Sequence, residues 1–189
     1  MAGPSGTDLR SLRDRPFDLL CELERRSKAA LAGALGADVD VEEWVGIGFR
    51  LADEQFIVAR DDIREVLMVP ALIARVPGAK TWIRGLANVR GHLLPIIDLK
   101  LFLGAGRVAG QRDARVLVIK GSDLSAGLIV DEVFGFRRFL DAERSDEAPQ
   151  TLVHCDQYLA GVFERGLENW PIFSIECLER SEEFQRAAA

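Results

Sequence analysis

From Trp44 onward the chain is a succession of short β-branched and aromatic runs, each bounded by turn residues, and that texture restricts the fold more than any other property of the sequence. "WVGIGFRL" (44–51) alternates, Asp53-Glu54 turn it, and "QFIVA" (55–59) returns; "IREVLMV" (63–69) alternates again before Pro70. "KTWIRGLANVR" (80–90) and "HLLPIIDL" (92–99) meet around Gly91 as a hairpin, and "ARVLVIK" (114–120) and "SAGLIVDEV" (125–133) flank a Gly121-Ser122-Asp123 turn. "FGFRRFL", an acidic loop (141–150), "TLVHC", "YLAGVFER" and "WPIFSI" complete the series. Strands at such close intervals leave no room for the helical crossovers that join parallel strands, so the spacing predicts an all-β barrel or a pair of barrels.

Helices flank this core. "PFDLLCELERRSKAALAGALG" (16–36) carries apolar residues near helical spacing and ends at Gly33 or Gly36, and "ECLERSEEFQRA" (176–187) reads as a short C-terminal helix. The resulting organisation is a mobile leader over 1–15, a helix and acidic connector over 16–43, a β domain over 44–180, and a helix end and tail over 181–189.

Charge and cysteine usage narrow the function classes. A formal net charge of −6 gives a long-range field that repels phosphate backbones, which argues against nucleic acid as a partner. Cys21, Cys155 and Cys177 are odd in number and form no CxxC pair, which suits a reducing, cytoplasmic compartment rather than a disulfide framework. No stretch approaches the roughly 20 apolar residues of a membrane span, so no membrane insertion is expected.

Several motifs invite chemistry and fail on context. "GAGRVA" (104–109) matches the dinucleotide fingerprint, yet "GQRDARVLVIK" after it leads into a strand instead of opening a helix, so a flexible loop is expected. "HCD" (154–156) would send His154 and Cys155 to opposite faces of a strand, which suits a core thiol beside a surface histidine better than a metal site. Asp98 stands where its carboxylate caps a short helix, and Asp131 and Glu132 are expected to begin a turn or face solvent. There is no GxSxG elbow, no P-loop and no HExxH, so nothing recommends an enzyme, a cofactor or a metal. Two rivals stay open: a small-ligand pocket using His92, Asp98 or Cys155, and a single-strand-binding barrel for which Trp82 and Arg84 are the only hint.

What remains is "WIRGLANVRGHLLPIIDL" (82–99) together with "IREV" (63–66). On a regular strand Arg84, Asn88 and Arg90 share one face. That face is either a solvated surface over a buried one, or a docking surface where Gly85 and Gly91 permit close backbone approach.

At these residues the chain resembles the CheW-like domain family. The family's V-x-G-x-x-N-L-R-G hairpin and P-V-I-D-L strand end stand here as "IRGLANVRGHLLPIIDL", its G-x-x-V-D-x-V turn as "GLIVDEV" (127–133), and its V-x-E-V as "IREV". Within it, "WVGIGFRL", "AGLIVDEVFGF", "GVFERGLENWPIFS" and the "PFDLLCELERR" helix look most like the PilI-type adaptors of the chemosensory system that governs type IV pili. The resemblance implies two interlocked small SH3-like β-barrels with flanking helices and a non-catalytic role. It implies an adaptor that bridges the cytoplasmic tip of a methyl-accepting chemoreceptor and the regulatory domain of a CheA-like histidine kinase, in receptor arrays at the inner face of the membrane, and that controls twitching motility. The alternative within the family is a general coupling protein for flagellar chemotaxis. Residue by residue, the resemblance puts Ile63 and Glu65 on the receptor-contacting strand and Gly85, Asn88 and Arg90 on the motif hairpin, with the Arg90 guanidinium also suited to tying the two barrels together.

Overall fold

The computed structural model describes residues 43–108, 112–120, 125–147 and 149–186, together with Leu19, Leu20, Glu22 and Leu23. The expected leader, most of the helix and connector over 16–43, and residues 187–189 lie outside the described residues. The chain divides into two units, Met1–Val41 and Glu42–Ala189. In the first, Leu19, Leu20, Glu22 and Leu23 are helical, within the stretch whose spacing predicts a helix.

The second unit carries eleven described strands: β1 Glu43–Leu51, β2 Glu54–Ala59, β3 Ile63–Met68, β4 Ile83–Val89, β5 His92–Asp98, β6 Arg115–Ile119, β7 Gly127–Val130, β8 Glu132–Leu140, β9 Arg144–Ser145, β10 Leu159–Arg165 and β11 Glu168–Phe173. They form two sheets. One is six-stranded in the order β8-β1-β2-β11-β10-β9, the other five-stranded in the order β3-β6-β7-β5-β4. The first sheet is thus built from both ends of the unit and the second is inserted between them, which is the interlocking that the family resemblance implies. Pairing is antiparallel except for β11 on β2 and β5 on β7.

Each sheet curls on itself. In the first, β8 and β10 are separated by three strands, yet Phe139 and Phe163 stack with ring centroids 4.5 Å apart, and Arg165 Nη2 donates to Arg138 O at 2.7 Å. Strands that distant in order meet only if the sheet rolls into a barrel. Its interior holds Ile57, Phe139, Phe163, Trp170 and Ile172. The second sheet encloses Ala87, Leu94, Ile96, Val116, Val118 and Ile129. A third, larger core lies between the sheets, with Ile47, Phe49 and Phe56 from the first and Ile97, Leu117, Leu128 and Val130 from the second.

Helical pieces close this shared core. Ser174 Oγ accepts from Cys177 N and starts the helix Ile175–Arg180. Ser181 Oγ donates to Leu178 O and accepts from Phe184 N, so it ends that helix and begins the next, Glu182–Gln185. The single helix expected over 176–187 is therefore two, broken by a serine that bonds the backbone on both sides. Phe184 stacks on Trp82, centroids 6.3 Å apart, and meets Phe102 edge-on.

Two further expectations change. The run 125–133 is not one strand: the chain leaves the second sheet at Val130 and enters the first at Glu132, with Asp131 between. "TLVHC" is a turn. Thr151 Oγ1 accepts from Cys155 N at 3.0 Å, and Asp156 accepts from both Thr151 N and Thr151 Oγ1, which folds the segment back on itself.

Candidate docking site

β4 and β5 are joined by a two-residue turn, with Val89 opposite His92. Arg90 has φ +51 and Gly91 φ +88, the left-handed pair that matches the twist of a tight hairpin. Asn88 Oδ1 accepts from Gly91 N at 2.9 Å and locks the turn. From this corner the Arg90 side chain reaches across to β3, where its Nη2 lies 3.0 Å from Glu65 Oε2. The pair has the distance of an ion pair without the alignment of a hydrogen bond, and Glu65 Oε2 is sealed from solvent with no hydrogen-bond donor. Since β3 and β4 are the two edges of the five-stranded sheet, the guanidinium closes the seam of one barrel; it does not tie the two barrels together as expected. A cleft of about 340 Å³ opens there, lined by Arg64, Glu65, Val89, Arg90, His92, Leu94 and Val118.

Of the expected contact residues, Glu65 and Arg90 line this cleft. Asn88 is exposed behind the turn. Ile63 is buried in the core between the sheets. Gly85 is buried with φ +136, and a Cβ there would collide with the Ala74 carbonyl oxygen, which accepts from Leu86 N at 2.8 Å. The glycine therefore lets the 70–76 segment cover the β4 edge. Arg84 does not share a face with Asn88 and Arg90: the register slips between Ile83 and Gly85, Arg90 is in the turn, and Arg84 Nη1 lies 3.4 Å from Asp98 Oδ2.

Asp98 is the cap expected of it. Fully buried, it accepts from Leu101 N at 3.1 Å and starts the helix Leu99–Phe102, and the same oxygen accepts from Val108 N at 3.2 Å. Gly104 and Gly106 follow that helix with positive φ, so the glycine-rich run leaves a helix and does not open one. Asp131, expected with Glu132 to begin a turn or face solvent, does stand at the bend between β7 and β8 but does not face solvent: it is buried and accepts from Ala52 N at 2.7 Å. Cys155 is a buried thiol pushed up to about 11 by burial, the Thr151 hydroxyl opposing the shift only in part, beside an exposed His154. His92, Asp98 and Cys155 thus sit in separate environments and do not converge on a substrate. Trp82 is buried and Arg84 is ion-paired, which removes the stacking platform that a single-strand binder requires. Among the described residues no cluster of three or more His, Cys, Asp or Glu could hold a metal, and no helix is long and apolar enough to cross a membrane.

A second feature escaped the sequence. An apolar groove of about 310 Å³ runs between β3 and β8, the edges of the two sheets, lined by Ile47, Val66, Arg115, Val133, Gly135 and Phe136. Phe136 is 65% exposed, and Met68, two residues along the same face of β3 as Val66, is 73% exposed. The backbone explains Phe136. Phe49 pairs with Val133 and Gly48 with Gly135, so Phe134 is an extra residue in β8, and Gly135 with φ +86 turns the strand at a bulge. Phe134 goes inward against Trp170 while Phe136 goes outward. Regular alternation would place both on one face, and the Phe-Gly-Phe triplet is the only sequence signal of the exception.

The family model described as CheW-like domain matches residues 45–183. Protein PilI of Pseudomonas aeruginosa is 39% identical over 169 residues, covering 89% of this chain and 94% of that protein. Chemotaxis protein CheW of Helicobacter pylori is 32% identical over 133 residues, covering 70% of this chain and 79% of that protein. The crystal structure of scaffolding protein TtCheW from Thermoanaerobacter tengcongensis superposes with a TM-score of 0.63 at 26% identity, covering 72% of this chain and 92% of that one.

Proposed function

The chain belongs to the CheW-like domain family, and from that premise we propose that it is a non-catalytic chemosensory adaptor, holding a CheA-like histidine kinase where a methyl-accepting chemoreceptor governs it. The observation that carries the reading is the groove between β3 and β8. It presents Val66 and Phe136 on two rigid sheet edges, and the exposed Met68 extends the face of β3 beyond it, the form of surface that receives the apolar stripe of an amphipathic helix. The receptor's cytoplasmic tip is the occupant proposed for it. The cleft that shares strand β3 with the groove, with Glu65 beneath Arg90 and with Arg64 and His92 beside them, adds charged groups that set orientation. Ile63, Gly85 and Asn88 serve the site indirectly, by packing β3, covering the β4 edge and closing the turn.

The adaptor works in the cytoplasm, at the membrane's inner face through receptor arrays, and its pathway is the one that controls type IV pilus twitching motility, a reading supported by the likeness to PilI along most of both chains. Surfaces of this size bind weakly alone and gain from multivalency. Capture on immobilised receptor tip tests the proposal: the wild type is retained, and Phe136→Asp, which removes an aromatic anchor from the groove, weakens retention by about tenfold or more. Equal retention of the two proteins, or none of either, refutes it. Loss of twitching with intact swimming in a deletion strain supports the pilus pathway over the flagellar one.

A further inference from the structure

Between β7 and β8 the chain passes from one sheet to the other through a single residue, Asp131. Its side chain is buried, and Oδ2 alone takes two partners: Ala52 N at 2.7 Å, from the β1–β2 turn of the first sheet, and Lys100 Nζ at 3.3 Å, from the helix that follows β5 of the second. The Asp131 amide donates to Arg50 O at 3.1 Å, and Glu132 receives Arg50 Nε and Nη2 at 3.2 and 3.1 Å. Arg50 Nη1 in turn donates to Ala52 O at 2.8 Å. Ala52 has φ +55, the left-handed first position of the two-residue turn that joins Leu51 to Glu54, and this cluster bonds both its amide and its carbonyl.

The apolar core between the sheets holds them together, but hydrophobic attraction has no direction, and the tilt of one sheet on the other is left to groups whose bonds do. The groove depends on that tilt. Val66 and Arg115 belong to the second sheet, Ile47, Val133 and Phe136 to the first, and Val133 lies two residues beyond Asp131. We infer that Asp131, through Ala52 and Lys100, is a positioning residue that fixes the angle between the two sheets and with it the shape of the groove. The functional consequence rests on the adaptor reading; the geometry does not.

The test separates positioning from stability. Asp131→Asn keeps the shape and removes the charge, leaving Lys100 without its carboxylate, and Asp131→Asn with Lys100→Met removes both charges. Spin labels at Arg64→Cys on β3 and Arg138→Cys on β8, both exposed positions, in a Cys21→Ser, Cys177→Ser background, report the distance between the sheet edges by pulsed EPR. The wild type gives a narrow distribution and Asp131→Asn a broadened or shifted one. In the double variant the melting temperature returns toward the wild-type value while the distribution stays broad and receptor-tip capture stays about tenfold weaker. An unchanged distribution in folded Asp131→Asn, or one that recovers together with the melting temperature, overturns the inference. Should Asp131→Asn not fold, the double variant decides by the same criterion. A wild-type protein that captures no receptor tip overturns the adaptor reading, and the distance distribution still decides the role of Asp131.

Discussion

Arg90 Nη2 lies 3.0 Å from Glu65 Oε2, and Arg90 holds that place from a left-handed backbone, φ +51, in the turn between β4 and β5. The two facts pull against each other. The arginine side chain is 78% exposed, yet it is the charge that faces Glu65 Oε2, which is sealed from solvent with no hydrogen-bond donor, while the backbone is one that asparagine before glycine adopts with less strain. Arg90→Asn therefore leaves a buried carboxylate oxygen uncompensated, and relief of the turn offsets that only in part: the expected outcome is a loss of about 1–3 kcal/mol together with weaker capture of the partner. Urea denaturation and a pull-down on the same preparation check both halves. Stability equal to or above that of the wild type contradicts the role of Arg90 at the seam.

Asp98→Ala removes a fully buried carboxylate that accepts from Leu101 N and Val108 N and faces Arg84. The loss combines a helix cap with a second, buried backbone amide, that of Val108, left without its acceptor, and the expected cost is about 3 kcal/mol by chemical denaturation. Asp98→Asn keeps an oxygen for the cap and costs less.

Gly85→Ala sets a methyl against the Ala74 carbonyl at a φ of +136. We expect a loss of about 2 kcal/mol and faster hydrogen exchange at the Ala74 and Leu86 amides, which bond each other's carbonyls at 2.8 Å. Slow exchange at both amides in the variant contradicts the account of the β4 edge.

Cys155 makes a pH prediction. Its thiol ionises near 9 when exposed and at about 11 in the fold, because burial disfavours the thiolate. Between those values the unfolded chain has released a proton that the folded chain retains, so stability declines as pH rises from 9 toward 11. Cys155→Ala flattens that decline. At pH 8 the native protein leaves Cys155 unmodified by iodoacetamide while the exposed Cys177 reacts.

Much of the fold was legible because alternation is a local signal. β1, β2, β3, the β4–β5 hairpin and β6 all lie within a few residues of the runs that predict them, and Asp98 announced its cap by standing between a strand and a helix-forming stretch. What failed turned on single residues. Asp131 divides one apolar run between two sheets, Thr151 bends "TLVHC" into a turn, a slip at Gly85 takes Arg84 off the face on which it was expected, and a bulge at Gly135 turns Phe136 outward. A shift of one residue moves a side chain to the opposite face, and nothing in the periodicity announces it. The groove was hidden for a different reason. β3 and β8 are distant in sequence and come together only as the edges of separate sheets, so Val66 and Phe136 carry no mutual signal.

The proposed coupling of a receptor to a kinase is measured directly by kinase autophosphorylation in receptor-containing membranes with and without this chain. Kinase activity is expected to follow receptor ligand only when the wild-type chain is present, with that control lost for Phe136→Asp. Kinase activity that is the same with and without the chain, or receptor control that survives Phe136→Asp undiminished, contradicts it.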